Sequence, residues 1–349
     1  MRVIVTVTSF GENASQFDFL IPFMEKTMEK VIGDLISLEE PPIDTSDLTA
    51  VHFTDNYQSE LFAFQKAIGH RTFVTDNKIA KGHAQVIYVN HGEGPAADEG
   101  YHIFFSKLIP MSIMIGQLCE DNQKIDSALL KNAKHEKNYY LRAIRHELAH
   151  VEDENNQRKW IWLQSAFNDN SFKATLRHHA YRLWGEYYAC RRSNFFFDLD
   201  AISDEISSVL SNFEKAEEEI CNLRWQYNTR EIDLESFIRL LHEYICSAFI
   251  YCCYFLGHTD RLYDHVAPLI NPDLHPSRFY PYMKRVWDIL RAMVSSYPDW
   301  NSPDIFDGLA QIILECIREF EIYPKDTDKG AYYSIPAIKL TANSNWKSI

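Results

Sequence analysis

The chain has 349 residues, of which 46% are hydrophobic and 24% charged. That is enough apolar material for a sizeable core, in two domains or in one large one with an extension. Lys and Arg number 35 against 49 Asp and Glu, a net charge of −14 with no basic run, which argues against a nucleic-acid footprint and against docking on an anionic membrane.

Residues 1–9 alternate as a strand does and lack the apolar length of a signal peptide. Residues 14–37 read as a helix, with Phe19, Phe23, Met24, Met28 and Ile32 among its apolar positions, and Pro41-Pro42 breaks the chain. Leu48 to Thr54 is strand-like, Ser59 to Ile68 is a short helix stopped by Gly69, and 72–74 and 84–89 read as further strands. Tyr101 to Ile109 is another strand, closed by Pro110. A histidine-bearing helix follows at about 136–155, and another runs over 172–192. Asn194 to Asp200 is a junction.

The later chain is helical. Ile202, Ile206, Val209, Phe213, Ala216, Ile220, Leu223 and Tyr227 repeat at alternating spacings of 4 and 3, a coiled-coil-like seam. A polar turn at 228–233 leads into a helix over 234–256, so an antiparallel helical hairpin is expected. Arg239, His242 and Glu243 interrupt the apolar run of that second helix, which marks it as a buried helix rather than a membrane span. Two more helices are expected near 276–296 and 303–320, and the tail from Tyr323 has no strong pattern. The seven cysteines include no C-x-x-C pair, and several sit in apolar helical runs. They are expected to be free thiols in a reducing, cytoplasmic compartment, with no cysteine-based zinc site.

The chemistry concentrates in Arg145-His146-Glu147-Leu148-Ala149-His150, a single H-E-x-x-H. On a helix, positions i and i+4 lie on one face, so His146 and His150 can offer imidazole nitrogens to one metal ion. Glu147 sits where it can take a proton from a water activated there. Leu141, Ile144, Leu148 and Val151 form an apolar stripe at spacings of 3, 4 and 3. At ~100° per residue the histidines point roughly 160° away from that stripe.

A catalytic zinc takes three protein ligands and keeps a fourth position for water. The positions that would hold Gly and His in H-E-x-x-H-x-x-G-x-x-H are Asp153 and Asn156, which excludes that class. The leading third ligand is Glu186, on the next good helix, bordering its apolar stripe. A carboxylate there is costly to bury unless it is paired or metal-bound; its bland alternative is a salt bridge to Arg182 or Arg191. His179, seven residues earlier, is a second candidate ligand, a donor to the oxyanion of the tetrahedral intermediate, or an ordinary surface histidine, and Asp198 is a further fallback. Glu152, Asp153 or Glu154 can orient a ligand histidine, or simply form a solvated helix end.

His146, Glu147 and His150, followed by Gly185-Glu186-x-x-Ala189, resemble a zincin metallopeptidase of the glutamate-ligand kind, closest to the ImmA/IrrE group. The resemblance covers roughly 48–192. It implies an α+β fold with a zincin-like domain over 1–200, of a small twisted sheet and active-site helices; the helical periodicity beyond it makes 201–349 a helical accessory region, which resembles no family. The resemblance implies one Zn²⁺ per chain on His146, His150 and Glu186, with Glu147 as general base and a peptide or protein as substrate. It also implies an edge strand beside the substrate cleft, a place Tyr101 to Ile109 resembles. Two rival readings are a zinc hydrolase of a non-peptide amide or ester, and a zincin-fold binding protein without turnover, whose partner docks on the C-terminal helices.

Overall fold

The computed structural model describes residues 1–7, 19–72, 84–90, 99–106, 108–121, 126–163, 171–197, 202–270, 275–328 and 330–336, with single positions at 76, 77, 80, 81, 166 and 169. It is an α+β protein whose chain divides into two compact units. The first comprises Met1–Asn155 with Arg192–Asp198, the second Asn156–Arg191 with Leu199–Ile349.

In the first unit, strands β1 (Arg2–Thr6), β2 (Leu48–Thr54), β3 (Ala84–Val89) and β4 (Gly100–Ser106) form one sheet in the order β1-β2-β4-β3. β1, β2 and β4 run parallel, and β3 is antiparallel to β4. Helices cover both faces, so the central strands are buried on both sides. Val51, Phe53, Tyr101, Ile103 and Phe105 pack with Met28 and Ile32 of α1 (Ile21–Ile36) and with Ile144, Leu148 and Val151. Ile87, Val89 and Phe104, on the alternate face, pack with Leu61 of α2 (Tyr57–Ala67). Gly100 is at φ +108°, and a Cβ there would come within 2.5 Å of the Asp47 carbonyl oxygen. Only glycine lets the chain enter β4 beside the 47–49 segment.

The sequence reading is corrected at β4. The strand stops at Ser106, and Leu108–Asp121 is a helix, α3. Pro110 falls in its first turn, where a missing N–H breaks no helical bond, so proline did not mark an end here. Moreover, β4 lies inside the sheet; the antiparallel edge is β3. The histidine helix, α4, is also longer than its apolar stripe, running Ser127–Gln157 from a cap in which Asp126 Oδ1 accepts from the Ala128 and Leu129 amides. The expected starts of the first helix at 14–18 and most of the 72–74 strand lie outside the described residues.

In the second unit, α5 (Phe172–Ser193) is followed by α6 (Ile202–Asn228) and α7 (Leu234–His258), which pack along one another. Val209, Phe213, Ala216, Ile220 and Leu223 of the seam are all buried. Asp233 caps α7 by accepting from the Ser236 amide at 2.7 Å. α7 is the one described helix long and apolar enough to cross a membrane, yet 72% of its apolar window is buried. α8 (Tyr280–Val294) and α9 (Asp307–Glu319) pack against it. The segment after Tyr323 forms a hairpin of β5 (Tyr323–Thr327) and β6 (Gly330–Ser334), which the sequence did not suggest because its strands are mostly exposed.

Candidate metal centre

α4 is fixed from both sides of the motif by buried charge. One residue before His146, the fully buried Arg145 donates to the Leu35 and Arg192 carbonyl oxygens and to Glu39. Burial, then the neighbouring Arg192 charge, lowers its pKa to about 10. Two residues after His150, both Glu152 oxygens accept from Arg192, at 2.9 and 3.1 Å. Glu152 Oε1 also takes the Asp44 amide at 3.2 Å. Glu152 therefore anchors the helix. A bidentate guanidinium pair of this sort is geometrically specific.

With Ile144, Leu148 and Val151 turned into the core, His146, Glu147 and His150 emerge half-buried on the other side. The two Nε2 atoms of His146 and His150 lie 3.0 Å apart, with rings at 85°. Two neutral lone pairs at that distance repel; a proton or a cation between them removes the repulsion. Glu186, the third residue of the expected ligand set, lies on α5. Two imidazoles and a carboxylate are a donor set that zinc takes in catalytic sites, so the residues fit the metal.

α5 is held firmly. Its first amides, of Phe172 and Lys173, donate to Asp326 of β5 at 2.6 and 3.3 Å. Gly257 lets α7 approach closely: a Cβ there would sit 2.6 Å from the Tyr187 carbonyl oxygen and from Cys190 Cβ. Of the two arginines expected as alternative partners of Glu186, Arg191 donates through Nε to Asp260 at 2.9 Å.

His179 is not a surface histidine. Its Nε2 lies 3.0 Å from His242 Nδ1, and His242 Nε2 is 3.2 Å from the Tyr333 hydroxyl. Burial lowers the pKa of His179 to about 2 and of His242 to about 4. Asp198, the further fallback, lies outside the described residues. The neutral pair has a consequence for stability. Below pH ~6.5 the unfolded chain binds a proton that folded His242 refuses until about pH 4. Stability is therefore expected to fall as pH drops through that window, with His242 contributing about 1.4 kcal/mol per pH unit. Thermal melts between pH 7 and pH 4.5 test this; H242Q should show the shallower pH dependence, and an equally steep one refutes the assignment.

Sequence reasoning passed over Tyr57, the first residue of α2. Its Oη is buried and has no hydrogen-bond partner among the described residues. Burial foremost, and then the negative charge of Glu147, push its pKa well above the usual phenol range. The signal available in sequence was only a tyrosine just after a strand. In comparisons with known proteins, no family model, curated protein or solved structure matches this chain.

Proposed function

We propose that the chain is a zinc-dependent metallopeptidase of the glutamate-ligand zincin kind, working in the cytoplasm on a peptide or protein. The observation that carries this reading is the pair of His146 and His150 Nε2 atoms, 3.0 Å apart on one helix face beside Glu147, with Glu186 proposed as the third ligand. Zinc held there by these three residues would supply Lewis acidity and bring the pKa of a water to ~7. Glu147 accepts a proton from the attacking water as its oxygen bonds to the carbonyl carbon. It then delivers that proton to the nitrogen as the C–N bond breaks. The helix stripe and the Arg145 and Glu152 anchors hold the two imidazoles in place, which limits the reorganisation needed on binding. β3 is an edge strand of the described sheet, a place where an extended peptide can add as a strand.

Metal analysis of the purified protein tests the proposal. About one zinc per chain is expected. H146A and H150A should each abolish it, E186A should weaken it strongly, and E186Q should give an intermediate loss. Unchanged metal content in the histidine variants would place the metal elsewhere. Unchanged affinity in E186A would reject the glutamate-ligand class alone.

A further inference from the structure

The helix that carries Glu186 is held from the later helical region by one buried carboxylate. Asp260 follows the Thr259 cap of α7 and is 6% exposed. Its Oδ1 accepts from Tyr187 Oη at 2.6 Å and its Oδ2 from Arg191 Nε at 2.9 Å. Tyr187 and Arg191 stand one turn apart on α5, so the two bonds grip a single face of that helix. The carboxylate is fixed in turn from α8. Trp287 Nε1 donates to Oδ1 at 3.1 Å, and Arg291 Nη1 donates to Oδ1 at 3.0 Å and to the Asp260 carbonyl oxygen at 2.8 Å. Gly257 restrains the same stretch of α5, since a Cβ there would lie 2.6 Å from the Tyr187 carbonyl oxygen and 3.0 Å from the Arg191 amide nitrogen. Both restraints fall on 187–191, the turn that begins beside Glu186.

We infer that Asp260 is a positioning residue for the metal centre, fixing the α5 backbone at Glu186 through Tyr187 and Arg191, a role that rests on the glutamate-ligand reading. A buried charge network often stabilises a fold no more than apolar side chains of the same volume would. What its directed bonds add is a specific geometry. Glu186 and Tyr187 share one rigid peptide plane, so a displaced Tyr187 Cα carries the Glu186 Cα with it. A working metal ligand has to be held to within about 0.5 Å. Burial foremost, and then the Asp260 charge, keep the Tyr187 phenol protonated, so its bond to Asp260 persists at every working pH. The helical region after residue 201 thereby has a task, which is to hold the helix of the third ligand.

Tyr187→Phe and Trp287→Phe form the test. Each removes one donor from the same oxygen, Asp260 Oδ1, and only the first lies on α5. Both should lower the melting temperature. Zinc affinity is measured by chelator competition well below every melting transition, beside wild type, D260A and E186A. Y187F is expected to bind zinc about 10-fold more weakly, and W287F to stay within about twofold of wild type; a residue that orients a ligand is commonly worth about 10- to 100-fold. D260A, which frees both α5 donors, should lose more than Y187F. The visible spectrum of the cobalt(II)-loaded proteins is a readout that stability alone does not move. Its band intensities should change in Y187F and match wild type in W287F. Wild-type affinity and spectrum in Y187F, beside a weakened E186A, overturn the Asp260 role alone. So does a W287F weakened as much as Y187F, which marks a general loosening of the unit. Unchanged zinc affinity in E186A overturns the glutamate-ligand reading, and the Asp260 role with it.

Discussion

Glu147→Gln is expected to leave zinc bound and to lower peptide hydrolysis by at least ~10²-fold, the usual share of a general base. The amide matches the carboxylate in shape, and Glu147 is half-buried on the helix face that leaves Leu148 and Ile144 in the core. The fold should therefore not register the change. What disappears is the acceptor for the water proton and the donor to the leaving amine, a single group used twice in one turnover. Metal content and the melting curve measured alongside rates separate this from simple damage. A variant that keeps both zinc and full activity would sink the mechanism, and one that loses zinc would assign Glu147 to the ligand set instead.

Asp260→Ala is expected to destabilise the second unit by about 3–5 kcal/mol, the range for removing one partner from a buried charged network. Asp260 is 6% exposed and receives four side-chain donors. Tyr187 Oη donates at 2.6 Å, Trp287 Nε1 at 3.1 Å, Arg291 Nη1 at 3.0 Å and Arg191 Nε at 2.9 Å. Alanine would leave the hydroxyl and the indole N–H buried without an acceptor, and two guanidinium groups without their counter-charge. The arginines are about a third exposed and can turn partly to water, which keeps the effect from being larger. A drop in melting temperature on the order of 10 °C follows for a unit of this size. Asp260→Asn, which keeps an acceptor but not the charge, should fall between. Thermal or denaturant unfolding checks both, and an alanine variant within 1 °C of wild type would show the four bonds to be dispensable. Tyr187 is the residue after Glu186, so zinc affinity measured on the same variants would report whether this hub also steadies the ligand helix.

Much of the architecture was legible because helical periodicity is local. The stripe Leu141, Ile144, Leu148 and Val151 fixed which way α4 turns, and its last three members are fully buried as that stripe requires. The 4-and-3 seam from Ile202 to Tyr227 likewise identified α6 and its buried face. The rest was illegible for a physical reason. Whether β4 sits at an edge or inside a sheet depends on neighbours from distant parts of the chain, and its own residues read the same in either place. Leu108–Asp121 was hidden because a proline in a first turn and a proline after a strand look alike.

The sequence by itself determined the candidate ligand set: two imidazoles one helical turn apart, a carboxylate between them, and a face set opposite an apolar stripe. These follow from spacing along one helix, where geometry is set by the backbone. Only the tertiary structure decided the partners of the buried charges. Glu152 could have oriented a ligand histidine, but Arg192, forty residues on, holds it. His179 passed for a surface residue until His242, sixty-three residues away, closed on it. A polar side chain takes its role from whatever contacts satisfy or fail to satisfy it, and those contacts join residues far apart in the chain.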